Sequence, residues 1–258
     1  MKRAKTDNGL PRFLSLFLLI AIFPLFVVKE YRILKIKKGV RISHAFHSAN
    51  DARGGIREKR ERPFTIIVMA KDNGENIERN FCSVIAQRYS DYKVVYIDQS
   101  ADDRTRSLLR CLVRKQRASE KVTIVRARDL ADTHRLYADV IRSLGGEEIV
   151  VRLSGDDCLA DDRVLRMINR AYVNPNVWMT YGRYRSEGKA FVGDVGRAVT
   201  TRVSCKSFYA KYFKAIDPDS KKGRLSHTFE NDENFKGHIR RIPHVLHIRS
   251  MPSDGVSN

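Results

Sequence analysis

The chain has 258 residues, 42% of them hydrophobic, which is material for one sizeable α/β core with a short appendage and too little for two full domains. Its net charge of +19 is uneven, since residues 1–62 hold 15 Lys/Arg against 5 Asp/Glu while the remaining 196 hold 34 against 25. That placement favours attraction of the N-terminal quarter to anionic lipid headgroups over a nucleic-acid footprint on the folded part, and the four cysteines, Cys82, Cys111, Cys158 and Cys205, lack the spacing of a zinc site or a disulfide framework.

Residues 1–12 are polar and basic. Residues 13–28 are apolar apart from Ser15 and Pro24. As a helix they would span about 24 Å, short of the roughly 30 Å hydrocarbon core, with the outline of either a signal peptide or an uncleaved anchor. No small-x-small cleavage site follows, which favours a retained single-pass membrane-anchor helix over a cleaved signal or an interfacial helix. Basic residues flank both ends: Lys2, Arg3, Lys5 and Arg12 before, and Lys29, Arg32, Lys35, Lys37, Lys38 and Arg41 after. The side of the membrane is therefore left open, with only the larger second cluster arguing for a cytoplasmic domain. The organisation expected is an anchor over 1–30, a basic linker over 31–62 that includes Gly54, Gly55 and a charged run to Arg62, and a globular domain over 63–258.

The domain opens on Phe64-Thr65-Ile66-Ile67-Val68-Met69, a strand, then a polar turn at Lys71-Asp72-Asn73-Gly74. Ile77, Phe81, Val84 and Ile85 recur at helical spacing. Lys93-Val94-Val95-Tyr96-Ile97-Asp98 is a second strand, Leu108, Leu109, Leu112 and Val113 mark a second helix, and Val122-Thr123-Ile124-Val125 is a third strand. A helix over 133–144 precedes Ile149-Val150-Val151-Arg152-Leu153, a β-branched run read as a strand buried on both faces. The alternation implies βαβ units and a mostly parallel sheet flanked by helices, with Asp72, Asp98 and Asp156 at one edge. Asp156 and Asp157 follow the fourth strand, where paired carboxylates can hold a hard cation against phosphates; the competing reading is a helix cap, a duty that Asp161 and Asp162 can already fill. Farther on, residues 178–182 read as a strand, 204–215 as an amphipathic helix and 242–248 as a closing strand.

Three blocks in order resemble the family-2 glycosyltransferases of the GT-A fold. The first runs from Phe64 through Lys71-Asp72-Asn73-Gly74 to Ser83-Val84 and Gln87-Arg88-Tyr89. The second is Val94-Val95-Tyr96-Ile97-Asp98-Gln99-Ser100-Ala101-Asp102-Asp103, similar to that family's VVDDGSxD segment. The third is Leu153-Ser154-Gly155-Asp156-Asp157-Cys158-Leu159, similar to its LDGDDxL form of the DxD motif. The resemblance implies a GT-A, Rossmann-like sheet and a nucleoside-diphosphate sugar donor, a UDP-sugar first. It places Asp98 and the main chain near Ala70 at the base, Asp72, Ser154 and Asp156 along the donor, and Asp156 and Asp157 on Mg²⁺ or Mn²⁺. It also implies inversion by one in-line displacement onto a carbohydrate, lipid-linked or protein acceptor, with a general base from the C-terminal third. Asp232 is the first candidate for that base and Glu230 the second, against the reading of a solvated acidic helix start. Arg135, with Arg128, falls where relatives place basic residues near the donor, and His244 and His247 are candidates to meet the pyrophosphate.

The sequence departs from the family pattern at Ser154, which stands for the first aspartate of DxD, and at Gln99, which stands for the second of the DD pair. Those departures keep open an alternative: a catalytically inactive GT-A-like module that binds lipid or polyanion through its basic surface. A nucleotidyltransferase would want a glycine-rich phosphate loop after the first strand, and residues 70–75 offer only Gly74.

Overall fold

The computed structural model describes residues 60–187, 192–193, 205–216 and 237–250. The anchor segment, nearly all of the basic linker, Glu230 and Asp232 lie outside them. Among the described residues no helix is long and apolar enough to cross a membrane.

Four strands, β1 (Phe64–Ala70), β2 (Tyr92–Asp98), β3 (Val122–Arg126) and β4 (Ile149–Ser154), form a parallel half-sheet in the order β3-β2-β1-β4. Three helices connect them: α1 (Ile77–Ile85), α2 (Arg104–Lys115) and α3 (Leu130–Ser143). Alternation along each strand splits the interior in two. Phe64, Ile66, Val68, Val94, Tyr96, Val151 and Leu153 join the core that α1, α2 and α4 (Val164–Ala171) cover. Ile67, Ile97 and Val150 join the opposite core with Tyr137, Ala138 and Ile141 of α3 and Phe213 of α5 (Ala210–Ile216).

The second half turns the mostly parallel sheet expected into a mixed one. After the two-residue strand β5 (Cys158–Leu159) come β6 (Met179–Ser186), β7 (Val192–Gly193), β8 (Lys206–Tyr209) and β9 (Ile239–Arg249). The full order is β3-β2-β1-β4-β8-β6-β9-β5 with β7 beside β6, and β8 runs antiparallel to both β4 and β6. The sheet is therefore mixed, although β9 runs parallel to β6 over eight residue pairs. The helix expected over 204–215 is also corrected, because Lys206–Tyr209 is a strand and only Ala210–Ile216 is helical. All four β8 residues are buried between β4 and β6, and Ser207 lies between Tyr172 Oη at 3.0 Å and Thr180 Oγ1 at 2.6 Å. Phe208, Tyr212 and Phe213 fit a helical stripe, but neighbours on both sides of β8 satisfy its backbone ladder, and tertiary pairing outweighs the local period.

Candidate functional site

The path of the chain creates the site. From β1 it moves outward through β2 to β3, then crosses back to lay β4 on the other flank of β1. Connections diverge on either side of β1, and the crevice beyond the carboxyl ends of such strands is where an open α/β sheet binds ligands. Register sets the residues there: Ala70 lies opposite Asp98, and Met69 opposite Ser154.

Loops after β1 and β2 clasp one another. Gln99 donates its N–H to Ala70 O at 2.8 Å, the Asp72 N–H reaches Ser100 Oγ at 2.9 Å, and Asp72 Oδ1 accepts from Ala101 N at 3.1 Å. Asp72 adopts φ 52°, a left-handed conformation that an aspartate tolerates better than most side chains because it bonds locally. Asp98 is 1% exposed, and its Oδ1 accepts the Ser100 N–H at 3.0 Å. The Asp72 carboxylate, expected along the donor, thus also joins these two loops.

Five polar side chains from the β1 turn and α1, at positions 73, 76, 80, 83 and 87, hold the acidic turn after β4. Asn73 Nδ2 donates to Asp156 Oδ1, and Asn76 Nδ2 approaches the same oxygen at 3.3 Å. Asn80 Nδ2 donates to Ser154 O at 2.9 Å and Asp157 O at 2.6 Å, while Asn80 Oδ1 accepts from Tyr96 Oη at 2.9 Å. Ser83 Oγ accepts the Leu159 N–H at 3.0 Å, and Gln87 spans Asp161 O at 2.6 Å and Leu165 N at 3.1 Å. Asn80 and Ser83 lie on α1 itself, Asn76 just before it and Gln87 just after it at a spacing of three and four, while Asn73 comes from the preceding turn; together they hold the Asp156 carboxylate and the backbone of residues 154–165. None of these five positions stands out in the sequence as a clamp on the acidic turn. The signal, polar side chains at helical spacing beside the apolar residues Ile77, Phe81 and Val84, was present but indistinguishable from a solvated face.

From the other side the turn is closed by the C-terminal strand. Ser250 Oγ donates to Asp156 O at 2.5 Å and Ala160 N to Leu246 O at 3.0 Å. Arg79 on α1 ion-pairs with Glu187 just past β6, and its Nη2 reaches Ser250 Oγ at 3.3 Å and Cys158 Sγ at 3.7 Å. Burial pushes the Cys158 thiol up despite that guanidinium. Gly155 is required by close approach: a Cβ there would meet the Asn73 side chain and stand 3.0 Å from Ala70 Cα.

Asp156 is exposed, with Oδ1 fixed by two amides and no protein partner for Oδ2 among the described residues, whereas Asp157 is 7% exposed. Neither caps the next helix. Asp161 Oδ1 accepts the Arg163 N–H at 2.8 Å before α4, so the cap reading of the acidic pair is not needed. Among the described residues no group of three or more His, Cys, Asp or Glu is placed to hold a metal. The chemistry of the pair nonetheless fits a hard cation, because Mg²⁺ and Mn²⁺ take one or two carboxylates and complete their shell with substrate phosphates and water.

Two expectations fare differently. Arg135 is committed on the exposed side of α3 to Asp132 Oδ1 at 2.5 Å and to Asp139 Oδ2 at 3.1 Å. His247 is 3% exposed in β9, where it is paired with β5 and β6, and burial first and then Arg249 lower its pKa to about 4. It is a neutral core histidine and carries no positive charge toward a diphosphate at neutral pH.

The fold agrees with that of known proteins. The S. aureus TarS 1-349 structure matches with a TM-score of 0.55 at 13% identity over 73% of this chain. In its complex with UDP-GlcNAc the same fragment matches at 0.55 and 14% identity over 74%. The mannosyltransferase PcManGT from Pyrobaculum calidifontis, in complex with GDP-Man and Mn²⁺, matches at 0.56 and 14% over 92% of this chain and 69% of that one. The chain spans 60% of the length of the TarS 1-349 fragment. A search of curated proteins finds no match. These likenesses define a GT-A α/β fold. Residues 65–230 match the model of glycosyl transferase family 2, and the chain belongs to that family.

Proposed function

We propose that the chain transfers a sugar from a nucleoside-diphosphate sugar, a UDP-sugar first, to a hydroxyl of a carbohydrate, lipid-linked or protein acceptor, with inversion. The observation that supports this reading is the Asp156 carboxylate, steadied by Asn73 and Asn76 at the switch point between β1 and β4, with Asp157 beside it. Asp98, with one oxygen already fixed by Ser100, would offer its remaining lone pairs to a base N–H beside the Ala70 main chain, and Ser154 would hydrogen-bond the ribose. The serine departure leaves the turn intact, because Asn80 holds the backbone oxygen of Ser154 rather than its side chain.

Asp156 and Asp157 would hold Mg²⁺ or Mn²⁺, which when bound neutralises charge building on the leaving diphosphate. Asp232, or Glu230 in its place, would take the acceptor proton as the acceptor oxygen bonds to the anomeric carbon and the bond to the diphosphate oxygen breaks. Residues 13–28 would anchor the chain in a membrane as a single pass, with residues 31–62 as linker and 63–258 as the transferase domain.

The test incubates the full chain with a panel of UDP- and GDP-sugars and Mn²⁺ and measures released nucleotide. Turnover that Asp157→Asn and Asp232→Asn each reduce by at least about 100-fold is expected. No turnover and no thermal stabilisation by any nucleotide with Mn²⁺ would sink the reading in favour of a silent module that binds lipid or polyanion.

A further inference from the structure

The outer surface of α2 carries a second feature, separate from the acidic turn. Between Arg104 and Arg128 the sequence holds nine Lys/Arg and a single acid, Glu120, a net +8 of the chain's +19. Leu109, Leu112 and Val113 turn inward, and Arg104, Arg110, Arg114, Lys115 and Arg117 are all exposed. Asp103, the acid nearest this helix, is already committed to Arg106 and to Arg126 at 3.4 Å, and Lys121 lies over the Tyr92 ring at 4.3 Å. None of the five exposed cations has an acidic partner among the described residues. Arg110 and Arg114, one turn apart, flank a shallow depression of about 440 Å³ with Val113 and Ile124 as its floor. It lies where α2 packs on β3, the outermost strand of the parallel half.

We infer that this face of α2, with the neighbouring β3, is a docking surface for the anionic headgroup layer of a membrane. Five uncompensated cations on and just past a twelve-residue helix repel one another, and a polyanionic surface relieves that repulsion. Guanidinium groups bind phosphate in a fixed fork, and an apolar floor between two of them suits the boundary between headgroup and acyl chain. A single-stranded nucleic acid fits less well, because residues 104–128 include no aromatic side chain on which a base could stack. The inference rests on the anchoring of residues 13–28, which would bring a bilayer within reach of the domain.

The test uses the full chain reconstituted with neutral phosphatidylcholine vesicles and with vesicles that also contain phosphatidylglycerol. Cys111, exposed on the same helix face, carries an environment-sensitive dye, with half-buried Cys82 replaced by Ser. The emission should shift to the blue and acrylamide quenching should fall on the anionic vesicles alone. Roughly 1 M salt, which shortens the screening length to about 3 Å, should reverse both, and R110E/R114E/R117E should abolish both. Equal emission on the two lipids, with the chain floating on each, overturns the docking surface and leaves the anchor standing. A chain that fails to float on neutral vesicles but responds to phosphatidylglycerol through these arginines overturns the anchor and keeps the surface. Heparin or duplex DNA bound by the same arginines, with no response to phosphatidylglycerol, overturns the assignment to lipid.

Discussion

Asn80 is fully buried and uses all of its polar atoms: two donors on the carbonyls of Ser154 and Asp157, and its oxygen on Tyr96 Oη. Asn80→Ala leaves two carbonyls and a phenol without their partner and should cost about 3 kcal/mol by urea denaturation. Asn80→Asp should cost more, since a carboxylate would face two carbonyl oxygens in a dry site; equal stability of wild type and Asn80→Asp would refute this account. Gly155 and Asn73 are coupled by contact, because a methyl at 155 meets the Asn73 amide. Gly155→Ala and Asn73→Ala should therefore combine less than additively in a double-mutant cycle, by about 1 kcal/mol, measured in the same denaturation. Asn73→Ala alone also leaves Asp156 Oδ1 with only the longer Asn76 contact at 3.3 Å. Under the proposed function it should weaken Mn²⁺-dependent nucleotide binding by roughly 10-fold in calorimetry, as loss of a group that orients a metal-binding carboxylate does.

Two elements carry pH signatures. At the start of α3, Asp129 caps the helix by accepting the Asp132 N–H at 2.7 Å. Asp132 in turn accepts from the Arg128 backbone N–H and from the Arg135 side chain, which bring its pKa to about 2. The folded-state pKa is depressed, so this stabilisation is complete above the ordinary carboxylate range and is lost as pH falls toward 2. In β9, His247 has its pKa lowered from 6.5 to about 4, and its Nδ1 has no hydrogen-bond partner among the described residues. The unfolded chain takes up a proton at higher pH than the folded one. Stability is therefore full above about 6.5 and falls between 6.5 and 4, by on the order of 3 kcal/mol for this one group. His247→Phe should flatten the denaturation midpoint across that window, and an unchanged slope would contradict the burial of a neutral imidazole.

Across the whole molecule the thiols report the layering of the domain. All four cysteines are free, with Cys111 exposed, Cys82 half-buried, and Cys158 and Cys205 buried. Burial pushes the Cys205 thiol up to about 12. A thiol reagent at neutral pH should modify Cys111 at once, whereas Cys158 and Cys205 should react only at the rate of unfolding, as mass spectrometry of a labelling time course would show. Early modification of Cys205 would mean that β8 does not sit between β4 and β6.

The parallel half of the fold was legible because its signals are local. β-branched runs of five to seven residues, helical stripes between them and polar turns at their ends set β1 to β4, and carboxylates at 72, 98, 156 and 157 followed at one edge. The mixed half, β5 to β9, was not legible in the same way. Lys206-Ser207-Phe208-Tyr209 shows no alternation, because all four are buried between two strands, so nothing local announces the strand or the direction of its neighbours, and a competing helical stripe obscured it. The amides of α1 were visible as residues and unreadable as a clamp, since Asn80 and Asp157 stand 77 positions apart. Sequence alone therefore determined the strand ends, their acidity and the family they resemble, all properties of neighbouring residues. Tertiary structure alone decided which buried amide holds which carbonyl and where the last strands close, because those hydrogen bonds exist only once distant segments are packed and cut off from water.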